Sequence, residues 1–524
     1  MKNWKRLLGM VLALIMAIPA AAFAETAEKT YDTEMVFQLA SDAINESVDY
    51  NADPISEHFR GKFNFKWDII ALASENAKEK IRIWINSGDM PDVVINSVYN
   101  HGEYTNYIEQ GLLYRFPDDW KDRWPNAAAA YETTVLGSQL ETTHGGTYIF
   151  PRALFAANKP TDLVVPHYSV YLRKDWAEAV GFELKDAYTT SELMEFARLI
   201  KEQDPGGVGS RLVPMSVRPA LAVYLFTLAN STFSGGALTA AEFFRSDAGS
   251  YQWGPAQPET LEGLKLYKQA YEEGLLHPEF YTYSGSADNE DFYVAGISGL
   301  TVMAGMASYY QIADNYFKEN LDLSFDEAIH TAAVLGDDGR YHSPELINYA
   351  GFYTFSPNIS EEKFERYMDL LDYAATEEGQ MIIRMGIEGE DWDWGDDGEI
   401  LSYYAEGESV RTKYPSIYPV YHRIVIMSDD FSLINPVYEK EYRDRVIDIY
   451  KLKYDMGKDG SVAPTDWDVA LFSSDAMNRL SFDYGLEYAM LVMGDNDIET
   501  DWNNWVSANA YMIDPVLEEL DAAF

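Results

Sequence analysis

The stretch Ser87-Gly88-Asp89-Met90-Pro91-Asp92, followed by Val93-Val94-Ile95, indicates the fold class of this chain. An amphipathic stretch from Ile69 to Ile83 precedes it, and its helical period predicts a helix. The Gly and Pro residues predict a turn, and the β-branched run after them predicts a buried strand. A helix, a turn and a buried strand in succession are typical of α/β proteins.

Similar changes of period recur along the chain. A strand is predicted at Met35 to Leu39, and Thr189 with Glu192 forms a capping box that predicts a helix start. Further helices are predicted from Pro258 to Gly274 and from Glu361 to Glu378. Helices that alternate with short apolar strands over 524 residues predict an α/β protein with two sheets.

The composition excludes several classes of function. The chain has 40 Lys and Arg residues against 85 Asp and Glu, so its formal net charge is -45, which disfavours nucleic acid as a partner. Hydrophobic residues make up 47% and aromatic residues 14%, which predicts a folded protein and not an acidic disordered chain. The absence of cysteine excludes disulfides, thiolate zinc sites and a cysteine nucleophile.

The N-terminus has the three parts of a secretory signal peptide. Three positive charges in the first six residues precede an apolar run from Leu7 to Ile18, and the small-residue sequence Ala22-Phe23-Ala24 follows. The apolar run is shorter than the ~20 residues that cross a bilayer. We therefore expect residues 1–24 to be removed on export, and the loss of three basic residues changes the net charge from -45 to -48.

No catalytic or metal motif emerges from the sequence. The eight histidines include no pair at the spacing of a zinc helix, and there is no Walker loop or dinucleotide fingerprint. Two acidic clusters, 391–399 and 495–501, do not fit the spacing of a calcium loop and are interpreted as solvated loops. We predict no catalytic residue, no metal and no cofactor, although 85 acids leave a pair of glycosidase carboxylates open.

Aromatic residues form the remaining signal. The chain has 38 Tyr, 25 Phe and 12 Trp, and many lie in polar contexts, such as Trp253, Tyr309-Tyr310, Trp392 and Trp394. Flat apolar faces with polar rims suit sugar rings. Ordinary core packing is the alternative for any single ring.

The quoted stretch, with Asp68 before it, resembles the first-lobe signature of extracellular solute-binding proteins of family 1. These are the carbohydrate-type receptors of ABC importers, and the last two segments below are similar to the large oligosaccharide-binding lipoproteins of the group. The further segments that match in order are 107–113 (YIEQGLL), 146–151 (GTYIFP), 171–176 (YLRKDW), 271–280 (YEEGLLHPEF), 374–380 (AATEEGQ) and 386–389 (GIEG).

The resemblance implies two α/β lobes of the type II periplasmic-binding-protein kind, joined by a hinge of three chain crossings. The crossings are placed near 150–156, 296–304 and 349–355. Residues 25–150 plus about 300–350 are assigned to lobe one. Residues 151–299 plus 351–524, with C-terminal helices, are assigned to lobe two.

The same resemblance, with the rule that ligands lie beyond the carboxyl ends of strands, gives a predicted ligand site. Tyr309 and Tyr310 are expected to matter more for ligand binding than for the fold. The ten predicted ligand-binding residues are Asn96, Tyr99, His101, Arg152, Tyr168, Trp253, Tyr309, Tyr310, Tyr353 and Trp392.

The implied function is an exported substrate-binding protein of an ABC importer. It would capture an oligosaccharide between its lobes and deliver it to a membrane permease, acting as a monomer and not as an enzyme. The acidic excess favours neutral glycans over polyuronates or sulfated glycans. The alternatives are a secreted glycosidase that uses paired carboxylates and a receptor for a non-sugar solute such as a peptide.

Two features depart from the resembled group. Members commonly carry a lipobox cysteine after the signal, and this chain has none, so we expect retention at the cell envelope through the permease. Some large relatives bind calcium in an Asp-Pro-Asn-Gly-Asn-Gly loop. The corresponding sequence here is Asp204-Pro205-Gly206-Gly207-Val208-Gly209-Ser210-Arg211, which lacks those oxygen ligands, so no calcium is expected there.

Overall fold

The structure is a computed structural model, and its secondary structure alternates short strands with helices. It describes residues 29–41, 44–45, 47–72, 77–95, 101–153, 168–233, 242–283, 293–346, 348–349, 351–396, 400–405, 408–424 and 438–524, with only the backbone for 101 and 102. The strands are β1 Met35–Ser41, β2 Phe65–Ala71, β3 Val93–Val94, β4 Ile149–Pro151, β5 Tyr168–Arg173, β6 Ala187–Thr189, β7 Val213–Ser216, β8 Phe243–Arg245, β9 Tyr251–Trp253, β10 Ser298–Ala304, β11 Ile329–Leu335, β12 Ser343–Pro344, β13 Phe352–Phe355, β14 Trp392–Trp394, β15 Ile400–Ser402 and β16 Val462–Ala463. The α-helices are α1 Pro54–Phe63, α2 Ala77–Ser87, α3 His101–Glu109, α4 Trp120–Arg123, α5 Pro125–Glu132, α6 Val135–His144, α7 Lys174–Val180, α8 Thr190–Gln203, α9 Pro219–Ala222, α10 Pro258–Glu272, α11 Ala307–Leu321, α12 Phe325–Ala328, α13 Glu361–Ala374, α14 Glu377–Met385, α15 Val410–Lys413, α16 Lys440–Gly457, α17 Trp467–Leu471, α18 Tyr484–Met493 and α19 Ile498–Ala523.

The first sheet has the strand order β2-β1-β3-β13-β4. β1 runs parallel to both β2 and β3, and the short β13 runs antiparallel between β3 and β4. One face packs against a core that includes Phe37 and Tyr367, and the other face packs against a core that includes Ile85 and Tyr104. Helices therefore cover both faces of this sheet, and the predicted strand at Met35 to Leu39 is confirmed.

The helix predicted from Ile69 to Ile83 is only partly correct. Residues Phe65–Ala71 form β2, and the helix begins at Ala77. Phe65 and Trp67 are buried while Lys66 and Asp68 are exposed, which is the alternation of a strand. The apolar residues Ile69 and Leu72 thus belong to the end of a strand and not to the helix that follows it.

The second sheet has the strand order β6-β11-β5-β10-β7. β5 runs antiparallel to β10 and β11, whereas β10 is parallel to β7 and β11 is parallel to β6. Two buried clusters lie on its faces, one around Leu172 and Phe196 and the other around Tyr171 and Phe317. The prediction of an α/β protein with two sheets is confirmed.

Local capping signals in the sequence set several helix ends. The capping box of Thr189 and Glu192 is formed at the start of α8. Gly274, whose φ is 62°, follows the end of α10 as predicted. The helix predicted from Glu361 to Glu378 instead ends at Ala374, because the Thr376 side chain accepts a hydrogen bond from the Gly379 N–H and caps a new helix, α14.

The strand pairing contradicts the predicted assignment of two chain segments to the lobes. Residues 298–335 supply β10 and β11 of the second sheet, although about 300–350 had been assigned to lobe one. Residues 352–355 supply β13 of the first sheet, although 351–524 had been assigned to lobe two. The crossing predicted near 296–304 is therefore a strand of the second sheet, since β10 pairs with β5 and β7.

The chain passes between the sheets at three places. It leaves the first sheet after β4 for β5, and it returns between β11 and β13. Residues up to Ile424 pack in the first-sheet core, whereas Tyr442 in α16 packs in the second-sheet core. The chain thus changes lobes for the third time between Ile424 and Tyr442, and the C-terminal helices α18 and α19 then pack on the second lobe. Within the described part of the chain, the length and apolarity needed to cross a membrane are found in none of the helices.

Candidate functional site

The carboxyl ends of the parallel strands in both sheets lie at the edges where the chain crosses between lobes. β1 and β2 end at Ser41 and Ala71 on one edge of the first sheet. β5 begins at Tyr168, on the second-sheet edge where its antiparallel neighbour β10 ends at Ala304. In open α/β sheets this edge is where ligands bind, so the gap between the two lobes is the candidate site.

A cavity of about 770 Å³ lies between the lobes, and we call it the α11 cavity. This volume falls in the range of about 300–1,000 Å³ that is typical of small-molecule sites. The second lobe lines it with Ser308, Gln311, Ile312, Asn315, Lys318 and Glu319 from α11, and with Tyr438 and Glu439; the first lobe lines it with Arg384, Ser402, Tyr404, Ala405, Glu408, Ser409, Val410 and Arg411. Both lobes therefore contribute polar side chains to one cavity.

Helix α11 presents different faces to the cavity and to the core. Positions 308, 311, 312, 315, 318 and 319 follow helical spacing and line the cavity. On the opposite face Tyr310 and Phe317 are fully buried in the second-sheet core. Ile312 is 59% exposed, so it gives the otherwise polar helix face an apolar contact surface.

Among the described residues that line the α11 cavity, three are basic and three are acidic, although the whole chain has a net charge of -45. The basic lining residues are Lys318, Arg384 and Arg411, and the acidic ones are Glu319, Glu408 and Glu439. Lys318 also pairs with the buried Asp314 at 2.6 Å, and this hydrogen bond raises the pKa of Lys318. A wall of mixed donors and acceptors without a net charge suits a polar, uncharged ligand.

The first-lobe wall of the α11 cavity is held by a buried carboxylate. Asp391 accepts hydrogen bonds from Lys413, from the Tyr414 hydroxyl at 2.8 Å and from the Ile387 N–H at 2.7 Å. Burial, followed by the hydrogen bond to Asp391, raises the pKa of Tyr414 to about 12. The expectation of a solvated acidic loop at 391–399 is wrong at Asp391, because this residue is 1% exposed.

Gly386, which precedes this loop, lies against the Asp391 carboxylate. Gly386 has a φ of 83°, and a Cβ atom built on it would lie 2.2 Å from Asp391 Oδ2. The Tyr404 hydroxyl donates to the Met385 carbonyl at 2.8 Å, next to the same glycine. The wall is therefore preorganised by contacts that tolerate little change in position.

A second cavity of about 530 Å³ also lies between the lobes, and we call it the α17 cavity. The first lobe lines it with Thr105, Asn106, Gln139 and Thr143; the C-terminal region lines it with Trp467, Asp468, Leu471, Phe472, Ser473, Ser474, Asp475, Asn478 and Phe524. Trp467 and Leu471 pack against the first-sheet core that contains Tyr104. Its described lining includes two acids and no basic side chain.

The loop that corresponds to a calcium loop in the resembled group is closed by backbone amides. Asp204 Oδ1 accepts from the Val208 N–H at 2.8 Å, and Oδ2 accepts from the Gly209 N–H at 2.8 Å. Both carboxylate oxygens thus already have hydrogen-bond donors. Within the described residues no group of three or more acidic or histidine side chains could hold a metal ion.

Three of the predicted ligand-binding residues cannot be placed. Asn96 and Tyr99 lie outside the described residues, and so does the side chain of His101, whose backbone opens α3. These three stay predictions.

Three others lie beside the crossings, Arg152 and Tyr353 in the first lobe and Tyr168 in the second. Arg152 is fully buried, and its backbone N–H donates to the Gly351 carbonyl at 3.0 Å. Tyr353 is also buried, and its hydroxyl donates to the Arg423 carbonyl. The Tyr168 carbonyl accepts from the Tyr224 hydroxyl at 2.8 Å and from the Lys453 ammonium, whose pKa burial lowers to about 7.

The remaining predicted rings pack mainly in cores. Tyr310 is fully buried between the rings of Tyr171 and Phe325, each at 5.4 Å, and the half-buried Tyr309 packs against the same cluster. Trp253 stacks on Trp505 at 5.0 Å, beside the C-terminal helices.

Trp392 donates its indole N–H to the Gly386 carbonyl at 3.2 Å and is 3% exposed. None of the seven placed residues lines the α11 or the α17 cavity.

Sequence reasoning missed the residues that line the α11 cavity. The available signal was the polar spacing of Ser308, Gln311 and Asn315 on the helix that follows β10. The first-lobe lining residues between Ser402 and Arg411 carried no signal of their own. Contacts to Asp391 from the Tyr403 N–H, and from Lys413 and Tyr414 that follow them, hold these residues beside the cavity.

Comparison with known proteins places this chain in a family. The family profile described as bacterial extracellular solute-binding protein matches residues 49–381. Lipoprotein LipO of Bacillus subtilis (strain 168) is 22% identical over 405 residues, which cover 75% of this chain and 74% of the relative. The fructooligosaccharide ABC transporter substrate-binding protein FusA of Streptococcus pneumoniae is 23% identical over 207 residues, which cover 39% of this chain and 38% of the relative.

Solved structures share the fold. An extracellular solute-binding protein from Bifidobacterium longum subsp. infantis superposes with a TM-score of 0.67 at 15% identity, covering 94% of this chain and 98% of that one. The alginate-binding protein AlgQ2 without calcium ion gives a TM-score of 0.63 at 17% identity, covering 95% and 99%. With the two-lobed fold and the profile match, the chain belongs to the family of bacterial extracellular solute-binding proteins.

Proposed function

We propose that this protein captures an oligosaccharide between its lobes and delivers it, chemically unchanged, to the membrane permease of an ABC importer. The observation that carries the proposal is the α11 cavity, because both lobes of a solute-binding protein line it with polar side chains. As a solute-binding protein the chain is a binding protein and not an enzyme, so the glycosidase alternative has no support. A relative named as a fructooligosaccharide transporter component supports a glycan as ligand.

The chemistry of the α11 cavity supports a sugar over an apolar solute. Ser308, Gln311 and Asn315 can donate to and accept from hydroxyl groups, and these residues repeat along one helix face. Ile312 supplies an apolar surface among them, which suits the C–H face of a sugar ring. The balanced charges of the lining favour a neutral glycan over a polyuronate.

Ligand capture would proceed by closure of the two lobes. A ligand that contacts α11 on one lobe and lining residues such as Ser402, Tyr404 and Arg411 on the other binds the closed form more strongly, so it shifts the population toward closure. The crossings absorb the rotation, as hinges do in other two-lobed binding proteins. The permease would recognise the closed form, with the protein acting as an exported monomer after cleavage at residue 24.

The test is calorimetric titration and a thermal shift with a panel of neutral oligosaccharides, polyuronates and peptides. A ligand at 100 times its dissociation constant stabilises the fold by about 2.7 kcal/mol. We expect a neutral oligosaccharide to bind and to be recovered intact by chromatography. Heat from peptides alone would favour the non-sugar receptor, and tighter binding of a polyuronate than of every neutral glycan would overturn the charge argument.

A further inference from the structure

Trp394 is an exposed tryptophan next to the α11 cavity. Its side chain is 49% exposed, whereas Trp392, two residues earlier on β14, is 3% exposed. Among the tryptophans in the described ranges, Trp394 alone is in the exposed class. A large indole surface left in water is notable because burial of apolar surface contributes about 25 cal/mol per Å².

The pairing of β14 and β15 places Trp394 on the same hairpin face as a residue that lines the α11 cavity. Trp392 pairs with Ser402 and Trp394 pairs with Ile400, so these four side chains share one face of the hairpin. Ser402 lines the α11 cavity. Trp394 therefore lies on the same hairpin face as this cavity-lining residue, one residue pair farther along the hairpin, and unlike Trp392 it is exposed there.

The indole is held in place by buried neighbours. The rings of Trp392 and Trp394 meet edge to face at 5.5 Å with an interplanar angle of 85°. The Tyr403 N–H donates to the Asp391 carbonyl at 2.7 Å, and the Gly389 N–H donates to the Trp392 carbonyl at 2.7 Å. These hydrogen bonds fix the hairpin to the backbone around the buried Asp391. Little conformational entropy is therefore lost when a ligand contacts Trp394.

We propose that Trp394 is a stacking surface for one sugar ring of a bound oligosaccharide that extends from the α11 cavity along the hairpin. This inference rests on the proposed function. The ligand chemistry that fits is a sugar ring with a continuous face of C–H bonds, which an indole covers through apolar contact. Longer oligosaccharides should depend on Trp394 more than short ones, because the indole lies beyond the residues that line the cavity.

The matched control is Tyr403→Ala. Tyr403 is 53% exposed, aromatic and adjacent to the cavity-lining residues Ser402 and Tyr404, but strand alternation places Leu401 and Tyr403 on the face opposite Ser402. The hydrogen bond from the Tyr403 N–H to the Asp391 carbonyl does not involve the Tyr403 side chain. The two variants thus remove similar exposed rings from opposite faces of one hairpin.

The experiment titrates the full chain and the variants Trp394→Ala, Trp394→Phe and Tyr403→Ala with kestose, nystose and Man5GlcNAc by calorimetry and tryptophan fluorescence. For a bound probe, we expect Trp394→Ala to weaken binding by about tenfold, which corresponds to about 1.4 kcal/mol. Trp394→Phe should lose less, and Tyr403→Ala should bind within about twofold of the wild type. The melting temperature should fall by only a few degrees in Trp394→Ala, which also loses the edge-to-face contact with Trp392, and should change little in the other two variants.

Three results would overturn the inference. Equal affinity of Trp394→Ala and the wild type would remove Trp394 from the site while leaving the proposed function intact. An equal loss in Tyr403→Ala would show that the hairpin face does not matter. If the wild type binds none of the three glycans, the proposed ligand class fails for these probes, and the stacking role falls with it.

Discussion

The α11 and α17 cavities both lie between the lobes, but their walls are built differently. The α11 cavity is bounded by a 15-residue helix and by a hairpin fixed to the buried Asp391. The α17 cavity is bounded by α3 and α6 on the first lobe, and by the five-residue helix α17, the segment after it and Phe524 on the other side. The buried carboxylate that fixes the hairpin is the feature that supports our proposal of the α11 cavity as the ligand site, whereas the α17 cavity lies beside the packing of Trp467 and Leu471 on the first lobe.

The largest expected effect concerns the buried face of α11. Tyr310→Ala should lower the free energy of unfolding by about 3–5 kcal/mol, because it removes a fully buried ring between Tyr171 and Phe325. Urea unfolding measures the change, and the half-buried Tyr309→Ala serves as the control with a smaller loss. A stable Tyr310→Ala protein with weakened ligand binding would instead support the sequence-based placement of Tyr310 in the site.

The next effect concerns the hairpin wall of the α11 cavity. Asp391→Ala should destabilise the protein by about 3 kcal/mol, because it leaves Lys413, the Tyr414 hydroxyl and the Ile387 N–H without their shared acceptor. Thermal and urea unfolding test this. Asp468→Ala, which removes an exposed acid from the α17 cavity, should change stability by less than about 0.5 kcal/mol. Equal losses would mean that the two walls are equally fixed.

A smaller effect separates the cavities by ligand binding. Asn315→Ala in the α11 cavity should weaken glycan binding by about 1 kcal/mol, the usual contribution of one hydrogen bond. Asn106→Ala removes an equivalent side-chain amide from the α17 cavity and should leave the glycan affinity unchanged. Calorimetry on both variants compares the cavities directly. The reverse result would move the site to the α17 cavity.

The smallest expected effect is that of calcium. Because Asp204 already accepts from the N–H groups of Val208 and Gly209, neither EDTA nor millimolar calcium should shift the melting temperature beyond error. Differential scanning fluorimetry of the purified chain is sufficient. A rise with calcium would show that the loop opens to admit the ion, and ligand affinity with and without EDTA would then need comparison.

Local sequence signals predicted where helices and strands occur better than which sheet each strand joins. The capping box at Thr189 and the glycine after α10 act within a few residues, so they could be identified from the sequence. The assignment of β10 and β13 to lobes failed, because both are short buried runs and periodicity does not say which sheet they join. Their placement depends on partners far away in the chain.

The candidate site shows the same limit. Trp253 and Trp392 have polar neighbours in sequence, which suggested exposure, yet both are 3% exposed because their spatial neighbours are rings and backbone carbonyls. Trp394 stands in the same sequence context and is exposed. The neighbours in the sequence therefore do not distinguish the buried Trp392 from the exposed Trp394. Their positions in the folded hairpin beside Asp391 do.

The position of β13 in the first sheet has a consequence for the order of folding. β13 lies between β3 and β4, so the central gap of that sheet stays empty until residues 352–355 have emerged, about 200 residues after β4. All strands of the second sheet lie within residues 168–335 and are available earlier. The second lobe can therefore complete its sheet from one continuous segment, whereas the first lobe completes its sheet only after the chain has passed through the second lobe and returned.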